Sequence, residues 1–209
     1  VTRFAPVRPE KLAASLAAEF DRRHRGAHPL RIALDAPDLA GASDLLPELR
    51  DRLGTAGRPT ATIAAAWFYR DASLRLEYGR TDVESFYSGW LDTAALQREV
   101  LQPLGQPEAW YLPSLRDPVT NRATRAERAP LASAGVAVVS GEMLLGAGLS
   151  FDLTVHVSVS RQARKRRVPP DREWTLPAFD RYDLDVDPSG SADVVIRWDD
   201  RNHPAMLIR

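Results

Sequence analysis

No cysteine occurs in the 209 residues. That excludes disulfides, thiolate zinc sites and a cysteine nucleophile, and it fits a reducing compartment. Lysine is almost absent: of 28 basic side chains only Lys11 and Lys165 are lysines, and the rest are arginine. No apolar run approaches the roughly 20 residues that a membrane span requires. Residues Val1 to Arg8 lack the charged-then-apolar order of a secretion signal. Net charge is missing as well, because 28 acidic groups balance the 28 basic ones. The overall field therefore favours neither nucleic acid nor a membrane surface as partner. The expectation is a cytoplasmic protein with no nucleic-acid partner and no membrane contact.

What the chain does have is 44% hydrophobic residues and enough length for one cored domain, with or without a small lid. Leu12, Leu16 and Phe20 recur every four residues in an alanine-rich stretch. This predicts an amphipathic helix over 8–24, ended by Gly26 and Pro29. Leu30 to Leu34 predicts a short buried strand, Asp44 to Leu53 a helix, and Thr60 to Ala65 a second strand. Strand, loop, helix and strand within about 35 residues form a βαβ unit, which implies parallel pairing and a right-handed crossover.

Further along, Thr93 to Leu101 predicts a helix stopped before Pro103, and 106–130, with four prolines, predicts an extended excursion. Gly135 to Val139 is a continuous apolar run of the kind found in buried parallel strands. Phe151 to Val159 alternates as a strand, Arg161 to Arg167 is basic and helical, and Ala178 to Val186 predicts a helix. Ala192 to Trp198 and Ala205 to Ile208 complete the set as short strands. Strands alternating with helices specify a three-layer α/β fold.

The loop Ala36-Pro37-Asp38-Leu39-Ala40-Gly41-Ala42-Ser43 joins the first strand to its helix. A phosphate-binding loop has this placement and the pattern G-x-x-x-x-G-K-[ST]. Ala36 replaces the first glycine, Gly41 matches, Ser43 supplies the hydroxyl that would hold magnesium, and Ala42 stands where lysine belongs. Backbone N–H groups can still receive an anion here. A charge-assisted hydrogen bond contributes about 1.5–3 kcal/mol, so losing the ammonium weakens phosphate binding about ten- to a hundredfold. An ordinary turn with a chance Gly and Ser would look the same in isolation.

The wider segment from Leu34 to Ser43 resembles the bacterial uridine kinase-like family of P-loop kinases, whose members carry V-D-G-P-D-A-A-G-K-T there. The resemblance continues in order through Tyr78-Gly79-Arg80, Glu84 to Tyr87, Trp90-Leu91-Asp92 and Ala95 to Leu104. It resumes at Val138 to Leu145, Phe151-Asp152-Leu153, Leu176-Pro177, Tyr182, Val186 to Pro188 and Ala192 to Ile196. It implies a P-loop kinase fold with a mostly parallel sheet, in which 1–29 is an N-terminal helical extension. Residues 30–209 are then the kinase-like domain, with a lid around 161–181. The implied nucleotide loop is Ala36, Asp38, Gly41, Ala42 and Ser43, with Ser43 as the metal ligand if Mg-nucleotide binds. Trp67, Tyr69, Tyr87 and Arg80 are the implied acceptor-pocket residues. A nucleotide or nucleoside is the implied partner, Mg-ATP the implied weak cofactor, and a homo-oligomer is compatible with both.

The departures fall where the chemistry would be. The family's D-D-F-H, which supplies an acid to orient and deprotonate the acceptor hydroxyl, is Ala66-Trp67-Phe68-Tyr69 here. The acid expected before the glycine of the third strand is Ser140, with Glu142 two positions on as a stand-in. The lid segment, similar to R-Y-L-P-G-Q-R in the family, runs from Trp174 to Asp180 here. The expectation is therefore impaired or lost phosphotransfer, with a binding, regulatory or scaffold role. The alternative is an active nucleoside-type kinase that uses Glu142 as its catalytic acid–base and Lys165 as its cation. Arg161 to Arg167 otherwise reads as a solvated helix face paired with acids. The aromatics of 67–90 read as core filling or a ligand pocket, and His156 as pointing out of a sheet face or into a satisfied core contact. The four histidines have no metal-ligand spacing.

Overall fold

Leucines spaced by four residues explain the two helices that cover one face of the sheet. Helix α1 (Pro9–Arg23) opens on a proline, where no N–H is needed, and ends on Arg22 and Arg23, which suit the negative end of the helix. Its Leu12, Leu16 and Phe20 fall on one buried face. Helix α2 (Leu45–Thr55), entered through a 3₁₀ turn at Ala42–Asp44, does the same with Leu45, Leu49 and Leu53. The computed structural model describes residues 4–38 and 42–209, with the Ser43 side chain outside that description.

The strands of the main sheet are β1 (Ala5–Pro6), β2 (Leu30–Asp35), β3 (Thr60–Ala64), β6 (Val136–Gly141), β7 (Leu153–Ser158), β8 (Val194–Arg197) and β9 (Ala205–Ile208). They lie in the order β1-β9-β8-β7-β2-β6-β3. The five from β8 to β3 are parallel, while β9 and β1 add on antiparallel. Ile32 and Leu34 face α1 and α2, and Ala33 joins Phe68, Leu96 and Leu101 on the other side. Burial on both faces is why these strands read as unbroken apolar runs.

The other helices and strands complete the chain. They are α3 (Ala72–Arg75), α4 (Thr93–Leu96), β4 (Glu108–Tyr111), β5 (Ala129–Ala132), α5 (Arg161–Arg167), α6 (Leu176–Asp185) and α7 (Pro188–Ser191). Two local expectations change. Within 106–130 and just beyond, β4 and β5 pair as an antiparallel ribbon with Ala109 opposite Leu131. The prolines concealed the alternation of exposed Glu108 and Trp110 with buried Ala109 and Tyr111. The stretch after Thr93 is helical, but from Gln97 to Leu101 it widens into π-type turns. No described helix is long and apolar enough to cross a membrane.

The chain leaves β2 for β3 on one side and later places β7 on the other, so the strand order reverses at β2. In open parallel sheets that reversal, beyond the C-terminal strand ends, is where ligands bind. Register brings Asp35 beside Gly141 and His156. Gly141 is required there: an added Cβ would stand 2.7 Å from the Ala65 Cβ in the turn after β3.

Candidate functional site

Asp35 ends β2 at 1% exposure. One of its oxygens accepts the Leu144 N–H at 2.9 Å. The other accepts the Tyr182 hydroxyl at 2.9 Å and meets His156 Nδ1 at 2.7 Å. The Tyr182 oxygen in turn accepts the Leu145 N–H at 3.0 Å. Burial, and then the Asp35 charge, push the Tyr182 phenol far above its ordinary value, so it remains a donor. These bonds have a consequence for the backbone. Met143, just before the two anchored amides, has φ of 55°, a left-handed conformation that costs a non-glycine residue free energy. Asp35 and Tyr182 hold the turn in that shape, and the turn carries Glu142.

Glu142 follows Gly141 at the end of β6 and is turned into the cleft. One carboxylate oxygen accepts the Asp38 N–H at 2.9 Å, and the other accepts the Arg172 guanidinium at 3.0 Å. Arg172, in the 3₁₀ turn Pro170–Thr175 before α6, also faces the Asp38 carboxylate at 3.5 Å. Burial pushes the Glu142 carboxyl above the ordinary carboxylate range, although Arg172 and the Asp38 N–H pull it partly back. Arg172 is less enclosed. Burial works against its charge too, but Glu142 outweighs this and holds the guanidinium above its usual value.

Glu142 stands where three cavities meet. One of about 490 Å³ lies over the loop and is lined by Ala36, Asp38, Ala42, Ala66 and Ser140. A second of about 320 Å³, beside the 3₁₀ turn Pro170–Thr175, includes Arg167, Arg172 and Arg201. The third, of about 290 Å³, has Tyr69, Phe86, Tyr87 and Trp90 among its walls. Those rings contact edge-on, at 5.6 Å for Tyr69–Trp90 and 5.1 Å for Phe86–Trp90. Arg75 stacks on Tyr69 and Trp90 at 5.4 and 5.1 Å. Edge-to-face contacts of this kind are an arrangement that aromatic rings prefer.

The cleft gathers Ala36, Asp38, Ala42, Tyr69, Tyr87 and Glu142. Gly41 and the Ser43 side chain lie outside the described residues. Trp67 lines a separate cavity of about 240 Å³ with Ser114 and Ser140. Arg80 is exposed and lines none of these four cavities, and the same is true of Lys11 and Lys165. Asp180 meets Arg161 at 2.9 Å and Arg164 at 3.4 Å, so α5 is partly tied to α6. His156 is a core contact whose partner is Asp35. Arg172 is the residue that motif reasoning missed. Its only signal is a position between the Pro169-Pro170 pair and the lid segment at Trp174. Among the described residues no group of three His, Asp or Glu side chains could hold a metal ion.

No family model and no curated protein matches the chain. Solved structures do. A "possible uridine kinase" from Bacillus stearothermophilus superposes with a TM-score of 0.68 at 17% identity, covering 90% of this chain and 96% of that one. A candidate fructose transport system kinase from Silicibacter sp. TM1040 gives 0.54 at 19% identity, with 85% and 90% covered. The YGR205w protein gives 0.55 at 11% identity, with 96% of both chains covered. With its five parallel strands in the order found here and these matches across nearly its whole length, the chain has the fold of the uridine kinase-like P-loop kinases.

Proposed function

We propose that this chain is a uridine kinase-like P-loop protein in which ATP-dependent phosphotransfer is impaired or lost, and whose cleft serves a binding, regulatory or scaffold role. The observation that carries this reading is Ala42. It occupies the lysine position of the loop, is 6% exposed, and packs into the core with Leu45 and Leu49. The alanine methyl places no cation beside the β- and γ-phosphates. Ala66 supports the same reading from the acceptor side, because it lines the large cavity where a carboxylate is needed to hold the attacking hydroxyl. Losses of one or two decades at each position would together abolish useful turnover, even though they do not simply add. The ligand class is a nucleotide, with Mg-ATP bound weakly, or a small nucleoside-type hydroxyl compound. The structural neighbours described as kinases of uridine and of a fructose transport system support that class. A cytoplasmic setting belongs to the same reading.

Glu142 favours one second reading, that of an active kinase. A buried carboxylate with a raised pKa beside an aromatic cavity suits a general base. Thermal unfolding in rising Mg-ATP separates the two. The leading reading expects stabilisation below about 1 kcal/mol at millimolar nucleotide, and a gain of about ten- to a hundredfold in affinity for Ala42→Lys. No gain in Ala42→Lys would count against the loop assignment.

A further inference from the structure

The Asp38 N–H and the Arg172 guanidinium converge on one carboxylate, and that carboxylate belongs to the chain itself. A backbone N–H paired with a guanidinium is the donor set that phosphate-type oxyanions use. We infer that Glu142 is an internal plug in an oxyanion site, holding the Asp38 N–H and Arg172 that an incoming phosphate-type group would take over. Arg172 then supplies from the lid side the positive charge that Ala42 no longer supplies from the loop. This rests on reading the cleft as an anion-binding site, but not on the loss of transfer.

Three further observations support the plug. The cavity of about 320 Å³ is lined by Arg167, Arg172 and Arg201 against Asp38 and Glu142. Neutralising or withdrawing Glu142 leaves three cations facing one carboxylate, a field that draws in anions. Glu142 also borders all three cavities, so its withdrawal opens each of them to the Asp38 amide. Finally, the turn that presents Glu142 contains the left-handed Met143, so it is held in place by its anchors and not by its own backbone preference. A tethered carboxylate competes as a ligand of high effective concentration, and it lowers the affinity of any external anion for the same donors.

The plug should loosen with acid. Burial raises the carboxyl of Glu142, and the charged or titratable groups facing it are Asp38 of the loop, Arg172 before α6, Tyr69 after β3, and Arg167 and Arg201 across the cavity. Burial keeps the Tyr69 phenol protonated. Protonation of Glu142 removes the competing charge while Arg172 stays cationic.

Inorganic tripolyphosphate is the probe, because it offers oxyanions without base or sugar. In calorimetric titrations at fixed ionic strength, Glu142→Gln should bind it about tenfold tighter than the unaltered chain. Adding Arg172→Met to Glu142→Gln should abolish that gain. Equal affinity for the unaltered chain and Glu142→Gln overturns the proposal, and so does a gain that survives Arg172→Met. Because Glu142→Gln alters the residue that this turn presents, a second measurement uses the unaltered chain with sulfate, whose charge is constant over the range. Followed by the Asp38 amide resonance, sulfate affinity should rise as pH falls from neutrality toward the ordinary carboxylate value of 4.5; an affinity independent of pH over that range overturns the plug. Phosphate transfer to a nucleoside would sink the loss-of-transfer reading and leave the plug standing. A lack of oxyanion binding in Glu142→Gln would sink the plug whatever the turnover.

Discussion

Asp35 and Glu142 are carboxylates at the ends of adjacent strands, one residue apart in register, and both are withdrawn from water. Their surroundings differ in kind. Asp35 is met by a backbone amide, a tyrosine and a histidine, all from packed elements. The cavity beside it is only about 10 Å³, room for little more than one water. Glu142 is met by a loop amide and an arginine from a turn, and it borders cavities of about 290, 320 and 490 Å³. A buried charge whose partners all sit in the core is a structural commitment. A buried charge whose partners come from a loop and a separate turn, beside open volume, is placed to exchange them.

That contrast can be broken by mutation. Asp35→Ala should have the largest effect, destabilising the fold by about 3–5 kcal/mol in urea unfolding, because it strands His156, Tyr182 and the Leu144 N–H together. A cost below about 1 kcal/mol would remove the distinction between the two carboxylates. Tyr182→Phe should cost about 1–2 kcal/mol, since it leaves one acceptor short of a donor and the Leu145 N–H without its acceptor.

Glu142→Gln should change stability least, within about 1 kcal/mol at neutral pH, because burial already opposes the charge that the substitution removes. The pH dependence sharpens the point. The Glu142 pKa is raised in the folded chain above the ordinary 4.5, so the folded state holds the proton more tightly than the unfolded one. Its stabilising contribution is complete below that ordinary value and fades as pH climbs through the raised one. Melting temperatures measured against pH should show this decline in the unaltered chain and a shallower one in Glu142→Gln. Identical profiles would mean that Glu142 is not perturbed.

Much of the fold was legible because its signals are local. Leu30 to Leu34 and Gly135 to Val139 are buried on both faces and so read as unbroken apolar runs, and the spaced leucines of α1 and α2 read as helices. Strand β1 was not legible because two residues carry no period. The β4–β5 ribbon was hidden by prolines that normally argue against strands. At the site, the loop after β2 was singled out by its P-loop pattern and Glu142 by the family resemblance. The partners did not, because they are distant in sequence: His156 and Tyr182 lie 121 and 147 residues from Asp35. Arg172 was obscured for a related reason. Lysine scarcity pointed to Lys165 as the substitute cation, but α5 leaves that residue exposed and away from the cleft.

The most direct test is transfer of labelled γ-phosphate from Mg-ATP to a panel of nucleosides, run on the unaltered chain and on Glu142→Gln. An impaired site predicts no product above a protein-free blank in either case. Sustained turnover by the unaltered chain that disappears in Glu142→Gln would contradict it and identify Glu142 as a working general base.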